Sequence, residues 1–371
     1  MSIADLPQMK RPDRTQLREP RSPNAVVMFL LRFTSVGVLF LLILFFSIAA
    51  PGFATIFSVT NLLNATAVFL LLALGETFVL FAGGIDLSVG SMLGLGGVAS
   101  AIYMSAHASA TGASGVWVTV VGLLIALGVG GAGGAFNGAA IAYLNLSPLI
   151  VTLGSYGIFL GAADLLSNGL PIENLPGASF TLGNNTFLQI PYIAYIAFGL
   201  AIVLTFVSKN TRFGLYSYAI GTNREAVRRA GVNLKRHSVM LYGLCGALAG
   251  LAGMLNAVHF SSASSTSGLN DLLVAIAAVV IGGTPITGGE GKVWGTVIGA
   301  LIYTILQNGF VLMNVAAFWQ LIVIGFLIMI VVSLDNYQRR LHSMARISKE
   351  LESITPVPVV SSAESESDET S

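Results

Sequence analysis

Residues 61–82, NLLNATAVFLLLALGETFVLFA, run directly into residues 83–91, GGIDLSVGS. The first piece is an unbroken apolar run with one ionisable side chain, Glu76, and it is long enough to cross a bilayer core, which takes about 20 residues. The second piece opens on two glycines and sets a carboxylate, Asp86, just ahead of another apolar run, MLGLGGVASAIYMSA. A reversal followed by a new helix fits this pattern. Asp86 then serves as the cap of that helix, accepting from the amide of Ser88 or Val89 and facing the positive end of the dipole. The alternative is a polar group on a translocation path or gate, because ionisable residues at membrane depth are functional candidates. Both can hold at one position.

Working outward, the whole chain repeats this character. Its 371 residues are 54% hydrophobic and 9% charged, with a mean hydropathy of +0.81, whereas a soluble domain carries about a quarter charged residues. Too little polar surface is available to cover the chain in water, so lipid is the expected solvent. Spans are expected near 33–52, 61–82, 87–107, 116–144 (long and glycine-broken), 148–167, 191–207, 238–260, 271–283 (short), 293–313 and 316–334. The fold class is therefore an all-α polytopic bundle of about ten membrane helices. The net charge of +1 says nothing by itself about partners, and no nucleic acid is expected among them. The single cysteine, Cys245, excludes an intrachain disulfide and a multi-cysteine metal site, and the scattered histidines suggest no metal centre.

The placement of charge orients the bundle. Lysine and arginine fall before residue 33, between Lys209 and Arg236, at Lys292, and between Arg339 and Lys349, while the connections near 52–60, 108–115, 168–190, 261–270 and 314–315 carry none. Positive charge marks cytoplasmic loops. Ten spans with both termini inside put every basic connection on the cytoplasmic side. The basic, proline-rich stretch 1–32 reads as a cytoplasmic tail before an uncleaved first span. Residues 336–371, ending in SSAESESDETS, read as a second cytoplasmic tail with a disordered acidic end. The membrane-embedded body is then 33–335.

Within the spans, glycine-rich pieces such as GVGGAGGAFNG (128–138) and LCGALAGLAG (244–253) suit close helix packing in lipid. Glu76, with Thr77, is expected to face the bundle interior, on the pathway or in structural pairing. Asn137 is an intramembrane amide suited to a hydrogen bond between helices, and Ser88 belongs to the Asp86 cap. Asp164, Asn168 and His259 sit at outer helix ends. In the basic loop 208–237, GTNREAVRRAGVNLKRHS (221–238) predicts a helix of about eight residues. Thr222 and Glu225 match a capping box, Ala226, Val227 and Ala230 form a small apolar face, Arg228 and Arg229 fill the last turn, and Gly231 supplies the stop. So short a helix needs support from its own domain or from another protein.

Several of these motifs occur together in one known family. GGIDLSVGS, YLNLSPLIVTLGSYGIFLG, SNGLPI, YAIGTNREAVRRAGVN with LYGLCGALAGLAGML, and IAAVVIGGTPITGGEGKVWGTVIGAL with LQNGF run in the same order over roughly 55–335. In these the chain resembles the membrane permease of bacterial ribose-type sugar importers driven by ATP-binding cassettes, in the group that also holds branched-chain amino acid permeases. The resemblance implies a non-catalytic inner-membrane subunit paired with a second copy or a related permease. A cytoplasmic ATPase would drive it, and a periplasmic sugar-binding protein would deliver the solute. It also implies that the helix at 222–231 is a coupling helix, with Thr222, Asn223, Glu225, Ala226, Arg228 and Gly231 making or shaping the ATPase contact; GGTPITGGEGK is either a second ATPase contact or a plain turn between two spans. On this reading Glu76, Asp86, Ser88 and Asn137 belong to the pathway or its gate, and no cofactor is expected. Departures from the family's common pattern at Leu160, at Leu272 beside Asp271, and at His259 bear on which sugar is carried. The chain has no phosphate-binding loop: Gly291-Lys292 is followed by Val293 and has Ile286 where the motif needs its first glycine. The competing assignments are a permease for another small polar solute such as an amino acid, and a self-sufficient secondary transporter built on Glu76 and Asp86.

Overall fold

The computed structural model describes residues 34–320 and, beyond them, 322, 323, 325, 326, 329 and 333. In chain order the helices are α1 (Thr34–Ala49), α2 (Ile56–Phe81), α3 (Val89–Ala106), α4 (Gly112–Tyr143), α5 (Pro148–Ser167), α6 (Gly177–Asn184), α7 (Tyr192–Asn210), α8 (Arg212–Arg229), α9 (Leu234–Phe260), α10 (Asp271–Ile281) and α11 (Val293–Leu312). Between α6 and α7 lies a minimal antiparallel ribbon, β1 (Thr186–Phe187) against β2 (Ile190–Pro191).

Seven of these helices, α2, α3, α4, α5, α7, α9 and α11, are long and apolar enough to cross a membrane, and α1 and α10 are shorter apolar helices. Nine of the ten expected spans therefore have a helical counterpart among the described residues. Of the tenth, 316–334, residues 317–320, 322, 323, 325, 326, 329 and 333 are described and helical, while the expected tails 1–32 and 336–371 lie outside the described residues. Local chemistry sets the boundaries. Thr55 caps α2 by accepting from the Ser58 amide at 3.3 Å, Pro148 opens α5 where no amide partner is needed, and Asn168 closes α5 in the left-handed region at φ 54°.

One expectation needs correction. The glycine-broken run 116–144 is a continuous helix, α4, of 32 residues. It contains no proline, so its ladder of hydrogen bonds is uninterrupted. The roughly 1 kcal/mol that each glycine costs a helix is offset by what the missing side chains permit. A Cβ on Gly246 of α9 would lie inside the carbonyl oxygen of Gly130 of α4, one on Gly250 inside that of Ala126, and one on Gly134 inside that of Tyr242. Here the α4 and α9 backbones touch directly, the contact small residues allow where no hydrophobic effect drives helices together.

Around this seam, α2, α3 and α9 form the buried centre, including Leu70, Leu74, Phe78, Met92, Met104 and Met254. A second apolar cluster ties α1 to α11 through Phe46, whose ring packs on Phe53 and Phe310 at centroid distances of 5.7 and 5.8 Å. Large apolar side chains, among them Phe40, Leu124, Leu153, Leu165, Val203 and Phe206, face outward on α1, α4, α5 and α7. Such a surface suits hydrocarbon and is foreign to water.

The helix ends fall into two groups. At one end Phe81 meets Tyr218 and Gly289, and Lys235 lies over the Tyr143 ring. At the other, Ile172 pairs with Ala263, Ser105 reaches the carbonyl of Glu173, and Thr60 that of Gln189. The basic residues of the 209–236 segment and Lys292 belong to the first group, called the basic end below.

Candidate functional site

The chain reversal after α2 builds a buried polar chain. Gly83 turns the backbone at φ +72° and Asp86 follows in an irregular segment before α3. The Asp86 amide donates to Glu76 Oε1 at 3.1 Å, and Asp86 Oδ1 accepts from the Ser88 amide at 2.9 Å and from Ser88 Oγ at 2.6 Å. Asn137 Nδ2 of α4 donates to Ser88 Oγ at 2.8 Å, and the thiol of Cys245 on α9 lies 3.9 Å from Glu76 Oε2. The four residues singled out inside the spans, Glu76, Asp86, Ser88 and Asn137, thus form one connected network, and each is at most 1% exposed. Asp86 accepts from Ser88 as expected, but two residues upstream of a true cap: Ser88 is the residue whose carbonyl starts α3, accepting from the Met92 amide. Thr77 also turns inward, sharing a hydrogen bond of 2.7 Å with Thr296 of α11.

Burying two carboxylates is expensive unless their oxygens are satisfied. Here two backbone amides, the Ser88 hydroxyl and the Cys245 thiol do this work. Among the described residues, the salt bridges join Glu225 to Arg228 and Arg229, and none reaches Glu76 or Asp86. Two atoms near the chain, Asn137 Oδ1 and Tyr242 Oη, have no hydrogen-bond partner.

At the basic end, α8 is two helices joined at Asn223, whose backbone is extended at φ −157°, ψ 92°. The capping expectation is corrected here. Thr222 completes the first piece by donating Oγ1 to the Tyr218 carbonyl at 3.0 Å, while Asn223 caps the second, its Oδ1 accepting from the Ala226 amide at 3.0 Å. Glu225 does not reach back to a cap. It pairs with Arg228 at 2.7 Å and Arg229 at 3.2 Å, and Arg228 foremost, then Arg229, holds its carboxyl below the usual range. Gly231 stops the helix as expected, at φ +81°. Its amide bonds to the Arg228 carbonyl and that of Val232 to the Val227 carbonyl, a paired C-terminal closure. The expected apolar face is also revised. Val227 is buried, whereas Ala226 and Ala230 are exposed. One anchor holds the rod, and its small apolar surface stays open.

The first half of α8 is fastened into the bundle. Tyr218 stacks on Phe81 at 4.2 Å and donates to the Gly291 carbonyl at 3.2 Å, and the Gly289 amide donates to the Phe81 carbonyl at 2.9 Å. A Cβ on Gly221 would enter the Phe81 carbonyl oxygen, and one on Gly83 would sit 3.0 Å from the Thr287 carbonyl oxygen. The loop GGTPITGGEGK is therefore packed between the rod's base and the turn that carries Asp86.

Sequence reasoning missed a third feature. At the end opposite the basic loops, α2, α9, α10 and α11 enclose an open cleft of about 400 Å³. Asn61, Asn64 and Val68 come from α2, Asn256 and His259 from α9, and Thr304, Gln307, Asn308 and Val311 from α11. Each set follows the three-and-four spacing of one helix face. The signal was available as amides at helical spacing in otherwise apolar runs, but nothing in the sequence shows that three distant stripes converge.

The family model described as "Branched-chain amino acid transport system / permease component" matches residues 58–332. The chain belongs to this permease family. Among its curated relatives, the ribose import permease protein of Escherichia coli strain K12 is 36% identical over 310 residues, covering 81% of this permease and 92% of that protein. The ribose import permease protein of Bacillus subtilis strain 168 is 38% identical over 301 residues, or 80% and 90% of the two chains. The D-allose transport system permease protein of Escherichia coli K12 is 31% identical over 329 residues, or 87% and 98%. No solved structure matches the permease.

Proposed function

We propose that this permease forms the path for a sugar or polyol in an importer driven by ATP-binding cassettes. The observation that carries the reading is relatedness: the permeases just named carry ribose or allose and align with nearly their whole lengths. In the proposed assembly the basic end is cytoplasmic, with both termini inside a bacterial inner membrane and about ten spans in the body 33–335. A periplasmic binding protein delivers the solute, a cytoplasmic ATPase drives the cycle, and a second copy or a related permease completes the membrane dimer. Chemistry stays with the ATPase.

Within this scheme the rod at 223–230 is the coupling element. Its exposed Ala226 and Ala230 offer a small apolar contact, and Arg228 and Glu225 border it. Tyr218 and Gly221 at its base press on Phe81 and the 287–291 loop, which adjoin the turn leading to Asp86. A push on the rod is thereby applied to the Glu76–Asp86–Ser88–Asn137 chain, whose role in this proposal is to hold the inner gate.

The test is reconstitution in lipid nanodiscs with a cognate ATPase and binding protein. Arg228→Cys is expected to cross-link to a cysteine in the ATPase cleft, and solute-loaded binding protein is expected to stimulate hydrolysis. Labelling of the 228 position from outside intact cells would overturn the topology. Uptake by the permease alone would instead mark a secondary transporter.

A further inference from the structure

The polar cleft opposite the basic end presents an unusual balance. Its lining mixes Asn61, Asn64, Asn256 and Gln307 with the apolar face of Phe69, and among its residues the titratable side chains are His259 and Asp271. Asn64 is 5% exposed, yet its Oδ1 has no hydrogen-bond partner. An orphaned buried acceptor costs free energy that a visiting donor relieves. Some neighbours are already committed: Asn308 Nδ2 donates to Ser58 Oγ at 2.8 Å, Thr304 shares a hydrogen bond with Thr66 at 2.7 Å, and His259 Nδ1 lies 3.1 Å from the Gly183 carbonyl. These bonds fix the walls and leave the amides of Asn64, Asn256 and Gln307 for a guest.

We infer that this cleft is a transient holding site for a neutral polyhydroxylated solute, with Asn64, Asn256 and Gln307 as its specificity-determining residues. The inference rests on the sugar-importer reading and adds to it the place and the chemistry of selection. Side-chain amides both donate and accept, which matches hydroxyl groups that do the same. An amino acid is poorly served. No lysine or arginine lines the cleft to receive its carboxylate, and the N-terminus of α10, which would otherwise attract an anion, carries Asp271 in its first turn. The volume lies within the range of about 300–1,000 Å³ typical of small-molecule sites. Openness to the surface suits a step in a path, where binding must be weak enough to release.

The experiment uses the full complex in proteoliposomes, with its ATPase and binding protein, and follows uptake of labelled D-ribose, D-allose, D-galactose and L-leucine beside ATP hydrolysis. Asn64→Leu, Asn256→Leu and Gln307→Leu are each expected to lower sugar uptake at least tenfold, with hydrolysis stimulated by the binding protein kept within twofold of the parent. Asn256→Gln, which keeps the amide, is expected to restore uptake. If the parent moves a sugar and all three leucine variants match it at equal membrane levels, the inference fails and the importer reading stands. If uptake, hydrolysis and thermal stability fall together in all three, the residues are structural and the inference again fails. A parent complex that moves leucine instead of the sugars overturns the sugar reading, and the inference with it.

Discussion

The two ends of the bundle are built on opposite principles. At the basic end, Gly83, Gly221 and Gly289 let the turn after α2, the first half of α8 and the 282–292 loop meet with almost no side chain between them, and the hydrogen bonds run from backbone to backbone or into it. At the other end, amide side chains stand around a cleft and some of their bonding capacity is unused. Interiors packed to crystal density pass strain along with little loss, so the first arrangement suits transmission of force. The second suits reception of a solute. One sequence makes both in the same hydrophobic setting by choosing glycine in one place and asparagine or glutamine in the other.

Substitutions that remove this contrast should be the most damaging. Gly246→Val places atoms where the Gly130 carbonyl already stands and is expected to cost more than about 4 kcal/mol, beyond what most single changes do. Membrane levels and detergent melting temperature check it. Gly157→Ala is the matched control, because a Cβ there meets nothing within 4 Å. It should be neutral or stabilising by up to about 1 kcal/mol. Equal effects from the two would show that the seam does not depend on backbone contact.

An intermediate effect is expected at the buried polar chain. Asp86→Asn keeps an acceptor for the Ser88 amide and should retain most transport. Asp86→Leu leaves buried donors without a partner at about 1–3 kcal/mol each and should lose transport. Equal loss in both variants, at normal membrane levels, would mean that the negative charge itself is required.

The smallest effects belong to the rod. Asn223→Ala removes a cap worth about 0.5–2 kcal/mol and should speed amide hydrogen exchange at Ala226 while sparing the spans. Glu225→Gln should leave melting unchanged, since the pair with Arg228 is exposed. The folded-state pKa of Glu225 is depressed. Its small contribution is therefore complete above the unfolded value and is lost only as pH falls through the folded one, so nothing should change between about pH 6 and 8. A pH-dependent melting shift in that window, abolished by Glu225→Gln, would show that the pair is more enclosed than its exposure indicates.

Much of this architecture could be read from residue order. The apolar runs placed the α5 boundaries at 148–167, and most other helix ends fell within a few residues, because lipid leaves little choice for a run of that length. Asp86 and Glu76 stood out as the rare charges. What stayed hidden depended on distant partners. Thr222 and Asn223 are both good caps, and the first half of α8, held by Phe81 and Gly291, decides between them. Likewise Asn64 and Gln307 are ordinary polar interruptions until the fold brings their helices to one cleft.

The α4–α9 seam has a mechanical consequence. Two rods joined through main-chain atoms have no flexible layer along which to shear, so they turn together as an axle. Any rearrangement that admits a solute must then move α10 and α11, which line the cleft, relative to that axle and the buried α2 beside it. Spin labels placed across the seam should hold one separation throughout the cycle, while labels spanning α2 and α11 should not.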